Sequence, residues 1–136
     1  RTSNNLALVL LKNYWKASPQ VVDGEADAFV QIGDRTFGKI NLYPFVYDLS
    51  AEWKSFTGLP FAFAVWAANK KINDDFIQEF NSALKLGLDN RKQILSELDG
   101  HQHFDMEDYL MNRLDFNLDN KKREAISKFL ELVKEL

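Results

Sequence analysis

Apolar residues fall in dense patches along this chain, and their spacing changes near the middle. Residues 6–11 are wholly apolar, and Tyr14 and Trp15 follow. Ser3, just upstream, suits an N-cap, so the pattern predicts a helix over 4–16, ended by Ser18-Pro19. Apolar side chains lie on most faces of that helix, which predicts burial. Residues 28–32 (Ala-Phe-Val-Gln-Ile) lie between Asp27 and Gly33-Asp34 and read as a buried parallel strand. Phe45-Val46-Tyr47 is a second strand candidate, with Pro44 restricting it to an edge or a strand start. Residues 50–56 read as a short helix or helical turn bearing Glu52, Trp53 and Phe56. Residues 61–67 (Phe-Ala-Phe-Ala-Val-Trp-Ala) alternate large with small and read as a third strand.

From Asn69 onward the spacing is helical. Phe76, Ile77, Phe80 and Leu84 recur at i, i+3 and i+4, with Asn73 or Asp74 as cap and Gly87 as stop. A further helix starts at Asp89 or Asn90, carries Ile94, Leu95 and Leu98, and closes at Gly100. Asp105 is a suitable N-cap, with Phe104 and Tyr109 at the two positions of a hydrophobic staple. Asp119 caps a last helix whose stripe is Ile126, Phe129, Leu130, Val133 and Leu136. The first half therefore reads as mixed helix and strand, and the second as helices that must dock on something.

Composition narrows the classes of function. The length of 136 residues suits one compact domain or one and a half small lobes, and 46% apolar content is that of a globular protein. A net charge of -3 gives no electrostatic reason to expect nucleic acid as a partner. Lys121, Lys122 and Arg123 cluster, but acids flank them, as at a solvated helix start. The chain has no cysteine, which removes disulfides and thiolate metal sites and fits a reducing compartment such as the cytoplasm. Its longest apolar stretch, 59–68, is about half of the ~20 residues that a membrane helix needs, so no membrane partner is expected. The sequence opens on Arg1 and shows no signal peptide, so it reads as a processed chain or a piece of a longer one.

Three segments hold candidate chemistry. The first, Thr2-Ser3-Asn4 after Arg1, lies at a helix start, where free N–H groups and the dipole favour an anion. An ordinary N-cap explains the same residues. The second is Ile32-Gly33-Asp34-Arg35-Thr36, directly after a strand candidate, where ligands of open α/β sheets sit. Gly33 would let backbone approach a ligand, and Asp34 would accept hydrogen bonds; a plain structural turn is the alternative. In the third, Thr57-Gly58-Leu59-Pro60, Gly and Pro mark a defined turn and Thr57 offers a hydroxyl, although turn chemistry alone accounts for Gly and Pro. His101 and His103 flank Gln102 near Asp99, Asp105 and Glu107, but no third ligand stands at a zinc-binding spacing, so no metal is expected. No phosphate loop, nucleophile elbow or His-Glu-x-x-His motif occurs, and no pair of carboxylates is seen to converge.

Taken in order, these segments form a more specific series. Thr2-Ser3 heads the Leu-rich helix ending in Tyr14-Trp15-Lys16. Next come Ile32-Gly33-Asp34-Arg35-Thr36-Phe37 and Val46-Tyr47-Asp48-Leu49-Ser50-Ala51-Glu52-Trp53. Then comes Thr57-Gly58-Leu59-Pro60-Phe61-Ala62-Phe63-Ala64-Val65-Trp66-Ala67, the longest and most unusual block. The series resembles the futalosine-pathway chorismate dehydratase family, from the first residue into the last helix. The resemblance implies an α/β chain of the two-lobed, type 2 periplasmic-binding-protein-like fold, here only in part. Residues 1–66 would form the second lobe, and 67–136 a helical return segment packing on the first.

The resemblance also implies a lyase of menaquinone biosynthesis. It would dehydrate chorismate to 3-[(1-carboxyvinyl)oxy]benzoate with no redox cofactor or metal, holding the substrate's carboxylates on backbone amides and hydroxyls. The matching positions for substrate binding are Thr2, Ser3, Asn4, Gly33, Asp34, Thr57, Gly58 and Leu59. Two departures stand out. The family's N-terminal lobe, with its Tyr-Leu-Asn segment and an expected catalytic residue, has no counterpart here. The stretch between Lys16 and Glu25 is also short, as though internally deleted. These departures imply a fragment that is inactive alone. The related 1,4-dihydroxy-6-naphthoate synthase shares the Thr-Gly-Leu-Pro turn but continues differently after it. A transport solute-binding protein is the non-enzyme alternative of the same fold.

Overall fold

The computed structural model describes residues 2–100 and 104–136. Among them every regular element is helical. α1 spans Thr2–Asn13, α2 Leu49–Thr57, α3 Asp74–Asp89, α4 Arg91–Glu97, α5 Met106–Asp108 and α6 Asn120–Lys134. Short 3₁₀ turns lie at Gly33–Thr36 and Ile40–Leu42, and a π-helical turn, Tyr109–Arg113, follows α5 directly. Two compact units result: Arg1–Val65 with Leu118–Leu136, and Trp66–Asn117.

The first unit contains the core. Leu6, Val9 and Leu10 recur at i, i+3 and i+4 on α1, and all three are 0% exposed. That face meets Trp53 of α2, also fully buried, and Phe129 of α6. Burying each such side chain contributes roughly 1.5–3 kcal/mol. The rings supply directional packing: Trp53 stands edge-on to Phe61 at 5.4 Å and to Phe129 at 6.0 Å, and Phe61 to Phe129 at 5.0 Å. At the far end Tyr14 meets Phe56 and Trp15 meets Tyr47. Lys12 donates through Nζ to the carbonyl of Glu135 and so ties the C-terminal ends of α1 and α6 together.

Caps fix where these helices begin and stop. Asp48 accepts the N–H groups of Ser50 at 2.8 Å and Ala51 at 3.2 Å, which starts α2. Gly58, in the left-handed region at φ 74, donates its N–H to the Lys54 carbonyl and ends it. Asp119 accepts the Lys122 N–H at 2.8 Å and starts α6. The inward face of α6 is Lys122, Ala125 and Phe129; Leu130 and Leu136, expected in its apolar stripe, are about half exposed. α1 stops earlier than Ser18-Pro19 would require. Lys16 turns into the left-handed region at φ 54, and the Ala17 N–H reaches back to the Leu11 carbonyl at 2.8 Å.

The second unit is helical as its spacing predicts, but thinly packed. Asn73 caps α3 by accepting the Asp75 N–H at 2.7 Å, and the helix runs past Gly87 to Asp89. Asp105 accepts the Asp108 N–H at 2.9 Å, with the Phe104 and Tyr109 rings 4.9 Å apart as a staple. None of the described residues of 66–117 is buried.

The expected two-lobed α/β, type 2 periplasmic-binding-protein-like fold is not the one observed. The described residues contain no strand. The three apolar runs at 28–32, 45–47 and 61–67 are non-helical, yet among the described residues none makes a ladder of backbone hydrogen bonds. A sheet exists only where extended segments lie about 4.8 Å apart and exchange N–H and C=O groups. Here the apolar runs have the composition of strands without a neighbour to pair with, and Phe45 remains 78% exposed.

Candidate functional site

The three segments singled out by sequence occupy three separate places in the first unit. Thr2, Ser3 and Asn4 form the first turn of α1, with Thr2 and Ser3 half-buried and Asn4 exposed. Ser3 is therefore inside the helix and not its N-cap. The backbone N–H groups of a first turn have no intrahelical acceptor, so this turn can take a carboxylate. Arg1, the cation expected beside it, lies outside the described residues.

Gly33 opens the 3₁₀ turn at φ 67, and Asp34 follows it, exposed. The Thr36 hydroxyl donates to the Gly33 carbonyl at 2.7 Å, and the Phe37 N–H donates to the Asp34 carbonyl at 3.2 Å. A hollow of about 540 Å³ is lined by Phe29 through Arg35, including both predicted residues. All of its lining comes from one continuous stretch, so it has a single wall and does not form a cleft.

The turn after α2 is the most tightly built. The Thr57 hydroxyl donates to the Trp53 carbonyl at 2.8 Å and accepts the Leu59 N–H at 3.1 Å. The Gly58 N–H is held by the Lys54 carbonyl at 2.8 Å. Three donors expected to meet a substrate are thus committed within the turn itself. Its other product is Phe61, delivered onto Trp53 and Phe129. A ligand here would have to compete with those bonds.

The packing does not gather these segments. α1 is 12 residues long, which is about 18 Å along its axis. The ring contact with the last turn of α2 comes from Tyr14, at the end of α1 opposite Thr2, Ser3 and Asn4. Among the described residues no hydrogen bond or ring contact joins Thr2-Ser3-Asn4, Gly33-Asp34 and Thr57-Gly58-Leu59 to one another.

Elsewhere the electrostatics are local. The Arg113 guanidinium, and after it the Asn112 amide, hydrogen-bond the Asp108 carboxylate and hold it below its ordinary value of 3.8; the same bond raises Arg113. This exposed pair pins the π-helical turn. Among the described residues no three His, Asp or Glu side chains converge on a point, and His101 and His103 lie outside them. No described helix is long and apolar enough to cross a membrane. Sequence reasoning missed Asp48 as the cap of α2 and Arg91, whose guanidinium spans three segments of the second unit. Asp48 was detectable as an acid directly before the short apolar helix; Arg91 carried no local signal.

Helices around an aromatic-centred core, with separate polar turns, define no reaction class by geometry alone. No solved structure matches it. A family model described as menaquinone biosynthesis matches residues 1–135, nearly the whole chain. The chain belongs to this menaquinone biosynthesis family, and its role lies in that pathway.

Proposed function

We propose that this chain serves the step that dehydrates chorismate to 3-[(1-carboxyvinyl)oxy]benzoate. The observation that carries the reading is the family match over residues 1–135, joined to the block from Thr57 to Ala67, which resembles the dehydratase. The chemistry is an elimination. A proton and a hydroxide leave the ring, an aromatic ring forms, and no electrons are gained or lost. Such a step asks the protein to orient a dianion and support the departing charges. The first turn of α1 suits that task best, because its backbone N–H groups have no intrahelical acceptor, whereas the donors of Thr57, Gly58 and Leu59 are committed within their own turn and the Asp34 carboxylate is itself an acceptor. The second reading, 1,4-dihydroxy-6-naphthoate synthase, rests on the shared Thr-Gly-Leu-Pro turn. The two-lobed fold expected for all three readings is not observed, and the enzymatic readings, unlike the transport alternative, also have the match to a menaquinone biosynthesis family.

Feeding experiments separate the two enzymatic readings. A strain lacking the gene should stop making menaquinone and recover when given 3-[(1-carboxyvinyl)oxy]benzoate. Recovery with 1,4-dihydroxy-6-naphthoate but not with the enol-ether benzoate would place the lesion later and favour the synthase.

A further inference from the structure

We infer that residues 66–117 open and close as a unit independent of the rest of the chain, and that Arg91 is the clasp that closes it. The first observation is the location of buried side chains. The described core lies on α1, α2 and α6, with Phe61 packed against it, and no described residue of 66–117 belongs to it.

The second observation is how little apolar burial the unit has of its own. Phe76 and Ile77 of α3 are 55% and 42% exposed. Its ring pairs are Trp66 with Phe80 at 5.3 Å, Phe76 with Phe80 at 6.1 Å, and Phe104 with Tyr109, while Leu88, Leu95, Leu110 and Leu114 are only half-buried. Helices shorter than about 12–15 residues do not persist alone in water. α4 has seven residues and α5 three, so both depend on contacts beyond themselves.

Arg91 supplies such contacts for α4. Its Nε donates to the Leu88 carbonyl at 3.0 Å, which secures the end of α3. Its Nη1 donates to the Leu110 carbonyl in the π-helical turn, nineteen residues away in sequence. Its guanidinium carbon stands 5.5 Å from the centre of the Phe116 ring. One planar fork thus joins α3, α4, the π-helical turn and the segment after it. Lysine has no such fork, so it cannot hold two divergent carbonyls and a ring face together.

Millisecond-quench hydrogen exchange on the full chain, read by mass spectrometry, tests both parts. The amides of α3 and α4 should exchange at least roughly 100-fold faster than those of α1 and α6, relative to their intrinsic rates. Arg91→Ala should accelerate exchange across 88–116 by about tenfold and leave α1 and α6 unchanged, because a charge-assisted bond and a cation–ring contact are lost together. Arg91→Lys should behave like Arg91→Ala. Equal protection of the two units, high or low, would overturn their independence. Unchanged exchange across 88–116 in Arg91→Ala, or full recovery in Arg91→Lys, would overturn the clasp.

Discussion

The indole nitrogen of Trp53 has no hydrogen-bond partner among the described residues, although the whole side chain is buried. Two effects oppose each other there. An unsatisfied buried N–H costs about 1–3 kcal/mol, whereas the ring fills the centre of the aromatic cluster, and truncating such a ring to Ala costs about 3–5 kcal/mol. Trp53→Phe removes the orphan donor and keeps most of the ring, so its stability should fall within about 1 kcal/mol of the parent, while Trp53→Ala loses the full amount. Urea unfolding followed by circular dichroism compares them, and a phenylalanine variant as damaged as the alanine variant would show that the indole nitrogen has a partner after all. The same scale shows what sequence conveys about single residues. Asn73, Asp105 and Asp119 are recognisable as caps because a cap acts on backbone two or three residues away. Thr57 acts on backbone in the same way. Its hydroxyl looks available to a ligand, but the carbonyl that takes its proton, that of Trp53, belongs to the preceding helical turn.

At the scale of elements, α2 has nine residues and needs both its ends secured. Asp48→Ala should cost about 1 kcal/mol by releasing two amides. Gly58→Ala should cost about 1–2 kcal/mol through backbone conformation alone, since beyond its own chain neighbours nothing lies within 4 Å of where its Cβ would stand and φ is 74. Gly58→Val should cost more, because a β-branched residue tolerates positive φ least. Thermal unfolding of the three variants checks the ranking, and a Gly58→Ala protein as stable as the parent would show that the turn does not need glycine. The helices after Asn69 were legible because their periodicity and caps are properties of consecutive residues. The three apolar runs were read as strands on equally local grounds, and there the inference failed. Composition reports that residues 61–67 suit an extended, buried ribbon; it does not report whether a neighbour arrives to exchange hydrogen bonds with it.

At the scale of the molecule, one unit holds the described core, and in the other Arg91 bridges segments whose apolar side chains are at most half-buried. The candidate positions Thr2, Ser3, Asn4, Gly33, Asp34, Thr57, Gly58 and Leu59 were legible as three turns with donors. Their separation along the first unit was not, because it depends on which end of α1 meets α2. Family membership, by contrast, rests on a match across residues 1–135 and stands apart from the expected fold class. The most direct measurement follows chorismate in the presence of the whole protein that carries these 136 residues, purified from its own cells. The account predicts that chorismate disappears with one-for-one appearance of 3-[(1-carboxyvinyl)oxy]benzoate, without added oxidant and with no loss of rate in a metal chelator. Unchanged chorismate, beside turnover of a later intermediate of menaquinone synthesis by the same preparation, would contradict it.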